Sequence, residues 1–573
     1  MKPTDDREEA RFREARPFLA PVIERRALGP RLFRPQSRQG GFYILEGTPL
    51  LAHPSKKTPN KRKKSAMNRK SNSRKWSWIP LIERRAARTG RLLLLLLLTL
   101  AMTVTHLRAQ VFKTLHTFTG GSDGANPLGG LILSGNTLYG TAVFGGSSGY
   151  GTVFKVNTDG TGFKVLESFN GVNNEAYPLS GLLLSGNTLY GASGGPGSAF
   201  GTVFAINTNG TAFTTLHSFT PASGPALTNS DGGIVCGTLS LSGNTLYGAS
   251  AYGGSGGSGN VFAVNTNGTG LTTLHSFTAT TVPRNGVTDN PPYINSDGAG
   301  PADGVILSGN TLYGMTQFGG SSGWGTVFAI NTNGTGFTNL YTFTGGSDGG
   351  WPLDGPLILS GNTLYGTTMR GGSGGGNSGN GTVFALNTDG TGFTNLHIFT
   401  ATNAVHINSD GAAPSGGVIL SGNTLYGITQ FGGSSGNGTV FAVNTNGSGF
   451  TPLHSFTGQP NLSTGLIPSD GVILSGNTLY GTAYSGGTYG EGTVFSLSFR
   501  PQLTILPSET NLILTWPTNY AGFDYTAYTL QSTTNLGSSA VWTTNSPVPV
   551  VVNGQNVVTN SITGSQQFYR LSQ

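Results

Sequence analysis

Apolar residues in this chain fall in short runs, punctuated by Gly and Asn, and the runs recur in a fixed order. One round, over residues 130–169, reads GLILSG, NTLYGTAVFGG, GTVFKVNTDG and TGFKVLESF. Short runs rich in β-branched and aromatic residues predict strands. Helical spacing is absent, and Gly recurs too often for helices. Each round therefore predicts four antiparallel strands. SGN links the first to the second, and NTNG or NTDG links the third to the fourth. Such turns supply the positive φ angles that tight hairpins need. The first and third strands are nearly continuous apolar runs, which predicts burial on both faces, as in stacked sheets.

The heptapeptide SGNTLYG begins at Ser134, Ser185, Ser242, Ser308, Ser360, Ser421 and Ser475, at intervals of 51, 57, 66, 52, 61 and 54 residues. Repeats of this period indicate a propeller, a solenoid or an array. Four-stranded antiparallel units set radially are the blades of a β-propeller. The run VFKTLHTF (Val111–Phe118) has the composition of a fourth strand, whereas the last round stops after its third, GTVFSLSF (Gly492–Phe499). The count closes only if the N-terminal run completes the last sheet. An all-β, seven-bladed propeller over 110–500 with an interlocked seam is therefore expected, and closure removes exposed sheet edges.

The ordered elements LYGT, GG, GTVF, DGTG and LHSF resemble the GloVer tandem repeat of secreted bacterial proteins, from Val111 to about Phe499. The resemblance implies a secreted protein with a variable C-terminal anchoring segment, and it brings no defined activity. Kelch repeats share the Gly-Gly after an apolar strand, but their later Tyr and Trp spacing is absent. Beyond Arg500 the repeat stops. Residues 501–573 show alternating short runs, an Asn553–Gly554 hairpin signal, and Trp516 and Trp542 as core candidates. They predict a small β-sandwich resembling a fibronectin type III module and folding apart from the ring.

The overall charge of +8 conceals two opposite parts. Residues 1–109 hold 25 Lys+Arg against 8 Asp+Glu, and the other 464 hold 7 against 16. Leu92–Val104 is a thirteen-residue apolar run behind a basic segment, too short for a comfortable bilayer span and suited to a signal peptide over 67–109. Residues 1–66 read as a disordered basic extension or an over-long gene start. Without the leader the chain is acidic, so a nucleic-acid partner is not expected. Cys236 is the single cysteine, which excludes an intramolecular disulfide, and it reads as a small buried residue.

Tight turns should fall on one face of the ring and the long loops on the other. On the long-loop face, SDG supplies Asp123, Asp231, Asp297, Asp348, Asp410 and Asp470. These could form a carboxylate ring for cations, but Asp bonding to its own turn is the preferred reading. His116, His217, His275, His397 and His454 share one slot on different fourth strands. They cannot converge on a metal, so packing is expected. The G-x-S-x-G matches lack the strand–turn–helix context of a nucleophile elbow, and the Gly-rich runs lack a P-loop lysine. The aromatics Trp324, Trp351, Tyr150 and Phe200 lie in or beside the long loops and could stack on sugars; capping of the blade cores is the preferred reading.

The expectation is thus a secreted or cell-surface, monomeric, non-catalytic binding or adhesion protein without cofactor. An extracellular glycan or a cell-surface protein is the candidate partner. The alternative is a polysaccharide-degrading enzyme on the long-loop face, which requires carboxylates to converge with Arg284 or Arg370.

Overall fold

The computed structural model describes residues 109–573, apart from 174, 196–199, 225, 282–292, 354, 404–405, 458–465, 538–539, 546 and 563–565. The expected basic extension, the expected leader up to residue 108, and Arg284 lie outside the described residues.

The tight turns close as their composition requires. In the first round, Gly135 (φ 56°) and Gly160 (φ 87°) take the left-handed backbone that a side chain disfavours. Thr137–Phe144 pairs antiparallel with Thr152–Asn157, which pairs with Lys164–Ser168. Ile132–Ser134 adds to the other edge. Seven sheets of this kind are present among the described residues. Each fourth strand carries a bulge one residue before the His slot, for example at Leu115 between Thr114 and His116. The bulge turns Leu115 inward and lets His116 follow it toward the neighbouring sheet.

The burial pattern departs from the expected one. The second and third strands are buried on both faces, as in Thr202–Asn207. The first strand is three residues long and half-exposed in most rounds. The segment preceding it spends its apolar residues on the ring axis instead. Leu128, Leu179, Cys236, Ala302 and Leu353, from five successive sheets, lie in one buried cluster with Met369 and Tyr484.

Successive sheets pack face to face and meet through three sets of contacts, which together make the architecture a β-propeller. At the axis, the residues before each first strand touch. Asp303 accepts a hydrogen bond from Gly355 N at 3.2 Å, and a Cβ on Gly416 would lie 1.7 Å from Gly471 N. Farther out, one residue per sheet has positive φ: Asn126, Tyr177, Ile234, Trp351, Ala413 and Ile467 at 51–56°, and Gly300 at 67°. All but Ile234 precede Pro. The N–H of this residue donates to a carbonyl of the preceding sheet, as Tyr177 N to Tyr150 O at 2.8 Å. The Pro then covers a Gly of that sheet: a Cβ on Gly151, Gly259, Gly325, Gly381, Gly438 or Gly492 would lie 2.5–2.8 Å from its Cδ. At the rim, His116 stacks on Phe163 of the next sheet (3.5 Å), and Tyr341 and His397 stack on Phe393 and Phe450.

The last and first sheets meet in the same three ways. Asp470 accepts from Gly130 N at the axis, Asn126 N donates to Glu491 O at 2.7 Å while Pro127 covers Gly492, and His116 stacks on Phe163 at the rim. Ala109–Thr117 pairs with Thr493–Arg500, so the N-terminal strand supplies the fourth strand that the last round lacks.

Residues 501–573 form a four-stranded sheet, a three-stranded sheet and a two-stranded hairpin at 519–524. Leu514, Trp516 and Val558 of the first share a core with Leu530 of the second. Trp542, expected in the core, is instead half-buried under the Arg570 guanidinium, 4.3 Å from the ring centre. The segment touches the ring at three points. Phe523 stacks on Phe499 at 4.3 Å, the Tyr426 hydroxyl donates to Ala521 O at 2.7 Å, and Asn477 Nδ2 donates to Asp524 O at 2.9 Å.

Candidate functional site

Alternating strand direction sorts the connections onto two faces. Thr158 N donates to Asn136 O, joining the two tight turns of one sheet. Gly146 N donates to Gly121 O at the opposite end, joining the two long loops. The C-terminal segment occupies the tight-turn side of the sixth and seventh sheets through Tyr426, Asn477 and Phe499. Tyr426 is fully buried there, and burial pushes its hydroxyl up to about 12.

On the long-loop face, five of the six SDG aspartates do one job. Asp123, Asp231, Asp297 and Asp410 each bond the imidazole Nε2 of His116, His217, His275 and His397 at 3.0–3.1 Å. Asp348 accepts instead from the Tyr341 hydroxyl at 3.2 Å. Each carboxylate also accepts the backbone N–H and the hydroxyl of the Thr two residues beyond the fourth strand, as Asp297 does from Thr278. Burial pushes Asp231, Asp297 and Asp410 up, but the bonds from His and Thr outweigh it and hold them below the usual carboxylate range. Burial lowers His116 despite the opposing pull of Asp123. It also lifts the Tyr341 hydroxyl to about 12, helped by the Asp348 charge.

The repeated His and the repeated Asp are therefore two halves of one clasp, which pins each long loop to its own sheet while the imidazole face packs on the next. The sequence carries both halves, but no letter in it marks their pairing. Asp470 is the exception among the six: it lies at the axis with φ 55° and bonds the seam at Gly130. His454 correspondingly lacks an Asp. Its Nδ1 meets Gln110 Nε2 at 2.9 Å, and burial depresses it to about 4. In the second round Glu175 replaces Asp and accepts from the Thr215 hydroxyl. It faces Glu167, which occupies the His slot and is raised by burial first and by the Glu175 charge after it.

The aromatic candidates divide by burial. Phe200 and Trp351 are 0% and 1% exposed, so neither offers a face to a ligand. Both flank the joints between sheets, where the positive-φ residues and their acceptors must pack. Trp351 lies in a cluster with Tyr293 and Phe318, with Arg370 5.8 Å from its ring centre. Trp324 and Tyr150 are half-buried, packed on Trp351 and Tyr177. Tyr489, which sequence reading passed over, is 61% exposed in the long loop of the seventh sheet. Its only sequence signal is its place in TYGEG, one residue before Gly490.

The Ser147 hydroxyl of one G-x-S-x-G match bonds Ser168 Oγ at 3.0 Å. Arg370 Nη1 donates to Asn377 O at 3.1 Å. No group of three or more His, Cys, Asp or Glu side chains is placed to hold a metal among the described residues.

No curated protein is similar to this chain in sequence. Solved structures resemble it distantly. An oligogalacturonate lyase in complex with manganese is 10% identical, with TM-score 0.40, over 69% of this chain and 94% of that one. A Mycobacterium tuberculosis puromycin-hydrolyzing peptidase is 11% identical, with TM-score 0.39, over 71% and 61%. YCF48 from Cyanidioschyzon merolae is 11% identical, with TM-score 0.37, over 68% and 98%. Scores this low carry no weight for function. The sequence family is another matter: the Gloeobacter/Verrucomicrobia repeat matches residues 102–292 and 288–495, so this β-propeller chain belongs to the Gloeobacter/Verrucomicrobia repeat family.

Proposed function

We propose that the protein is an exported, non-catalytic binding protein. It is a closed ring of seven blades, with a fibronectin-type-III-like sandwich seated on the tight-turn face and the long-loop face turned to an extracellular glycan or cell-surface protein. The observation that carries this reading is the division of the two faces. One receives the C-terminal segment at Tyr426 and Phe499, and the other presents the exposed ring of Tyr489. An exposed aromatic on a loop face suits stacking on a sugar or a protein anchor. The polysaccharide-degrading alternative needs an acid and a base free to act in one cleft. The clasp carboxylates are instead engaged by His, Tyr and Thr, which favours binding over hydrolysis.

The test is a glycan-array and surface-protein screen with the purified chain, followed by Tyr489→Ala on any hit. Loss of binding with an unchanged melt supports the long-loop face. Binding that survives Tyr489→Ala but is lost on substituting the NTNG turns overturns it. Release of reducing sugars from a polysaccharide would overturn the non-catalytic reading.

A further inference from the structure

Among the described residues, the longest run of exposed large apolar side chains lies on the C-terminal segment. Val548, Val550, Val551 and Val552 are 80%, 64%, 61% and 50% exposed. The last three form the edge strand of the four-stranded sheet and, among the described residues, pair on one side only, with Gln555–Ser561. Asn553 and Gly554 both have positive φ, so the strand returns through a two-residue hairpin whose closing pair is Val552 and Gln555. In such a hairpin the closing pair exchanges hydrogen bonds and the next pair does not. Val552 and Val550 thus turn their backbone groups inward. Val551 turns its N–H and C=O outward, away from Asn556. Pro549 also points its nitrogen outward, where no ladder bond is lost.

We propose that this strand pairs with the same strand of a second copy, antiparallel across a two-fold axis at Val551. Each Val551 N–H then donates to the Val551 carbonyl of the other copy, and Val550 faces Val552 in both directions. The arrangement is self-complementary, as an isologous contact must be. Opposed β-branched side chains are favourable cross-strand pairs. Charge does not oppose it: residues 501–573 contain only Glu509, Asp524 and Arg570 as charged side chains, and none lies in residues 545–558. A charge on an edge strand is a common guard against such pairing, and it is missing here. Pro547 and Pro549 limit the pairing to a short stretch and keep it from spreading. Four valines per copy fall short of the ~800 Å² per partner of a stable interface, so the dimer is weak and concentration-dependent.

Sedimentation equilibrium of the whole chain over about 1–200 μM, a range that brackets weak interfaces, should show a monomer–dimer equilibrium. Val551→Lys and Val551→Glu should each weaken the dimer at least tenfold, because like charges then meet on the axis. Mixing the two variants should restore a heterodimer. Val551→Thr should dimerise nearly as well as the parent chain. A parent chain that stays monomeric over the whole range overturns the proposal. So does undiminished dimerisation of Val551→Lys, or failure of the Lys and Glu variants to pair with each other while both remain folded by circular dichroism.

Discussion

Phe112 stacks on His454 with ring centres 4.8 Å apart and an interplanar angle of 13°. One comes from the first described strand and the other from the sixth sheet. The contact repeats the His116–Phe163 and His397–Phe450 stacks at the seam of the ring. Phe112 also stacks on Phe495, within the sheet that its strand completes. Phe112→Ala should therefore destabilise the protein by about 2–3 kcal/mol, at the low end for loss of a large side chain because Phe112 is only half-buried. Deletion of 109–118 should lower the melting temperature of the whole ring by several degrees. A melt unchanged by the deletion would show that the seam is not closed by this strand.

The same His454 sets an acid limb of stability. Burial holds its folded-state value at about 4, against 6.5 for a free imidazole. The folded protein favours the neutral ring. The contribution is fully present above pH 6.5 and is lost as pH falls from there to about 4. A shift of this size is worth about 3 kcal/mol. His454→Phe should flatten the stability profile in that window, measured as urea midpoints from pH 7 to 4.

A second limb lies lower. Asp231, Asp297 and Asp410 are held below the ordinary carboxylate value. Their stabilisation is present above pH ~3.9 and is lost as pH falls through their folded values. Asp297→Asn keeps the shape but weakens the bonds from His275 and Thr278, and should cost about 1–3 kcal/mol at neutral pH. Hydrogen exchange should rise in the loop after Thr278. Unchanged exchange there would refute the clasp.

Most of the fold was legible in the repeat itself, because Gly, Asn and Pro stand where φ and close approach demand them. The missing fourth strand, and the run that replaces it, could be counted directly. The clasp could not be read. His116 and Asp123 lie seven positions apart, but His275 and Asp297 lie 22 apart, so no fixed spacing marks the pair. Asp470 shares the SDG letters without sharing the site, because it lies within the first strand of its sheet, Leu466–Ser475, and not in the loop before it. Trp351 looked like a loop aromatic. Its burial follows from a left-handed joint that only the packing of two sheets reveals.

That distinction separates two substitutions. Trp351→Ala should cost about 3–5 kcal/mol, as for a large side chain lost from a core. Tyr489→Ala should change stability by no more than about 0.5 kcal/mol. Paired thermal melts decide the matter, and equal effects would contradict the burial difference.

Truncation tests the seat of the C-terminal segment. A chain ending at Arg500 keeps all the repeat sheets but exposes Phe499 and frees the Tyr426 hydroxyl from Ala521. It should retain a β-type circular dichroism spectrum and a cooperative melt, at a lower temperature than the full chain. Tyr426→Phe in the full chain should cost about 1 kcal/mol, the usual worth of one hydrogen bond.

The seam also imposes an order in time. Ala109–Thr117 leaves the ribosome before any other strand described here, and its partner, Thr493–Arg500, leaves nearly four hundred residues later. Pairing across that separation is slow, because the loop entropy is lost before the contact forms. Until the seventh sheet is made, the nascent chain carries one waiting strand and an open stack of sheets, each end ready to accept a stranger. The first described strand to be translated is the last to find its place.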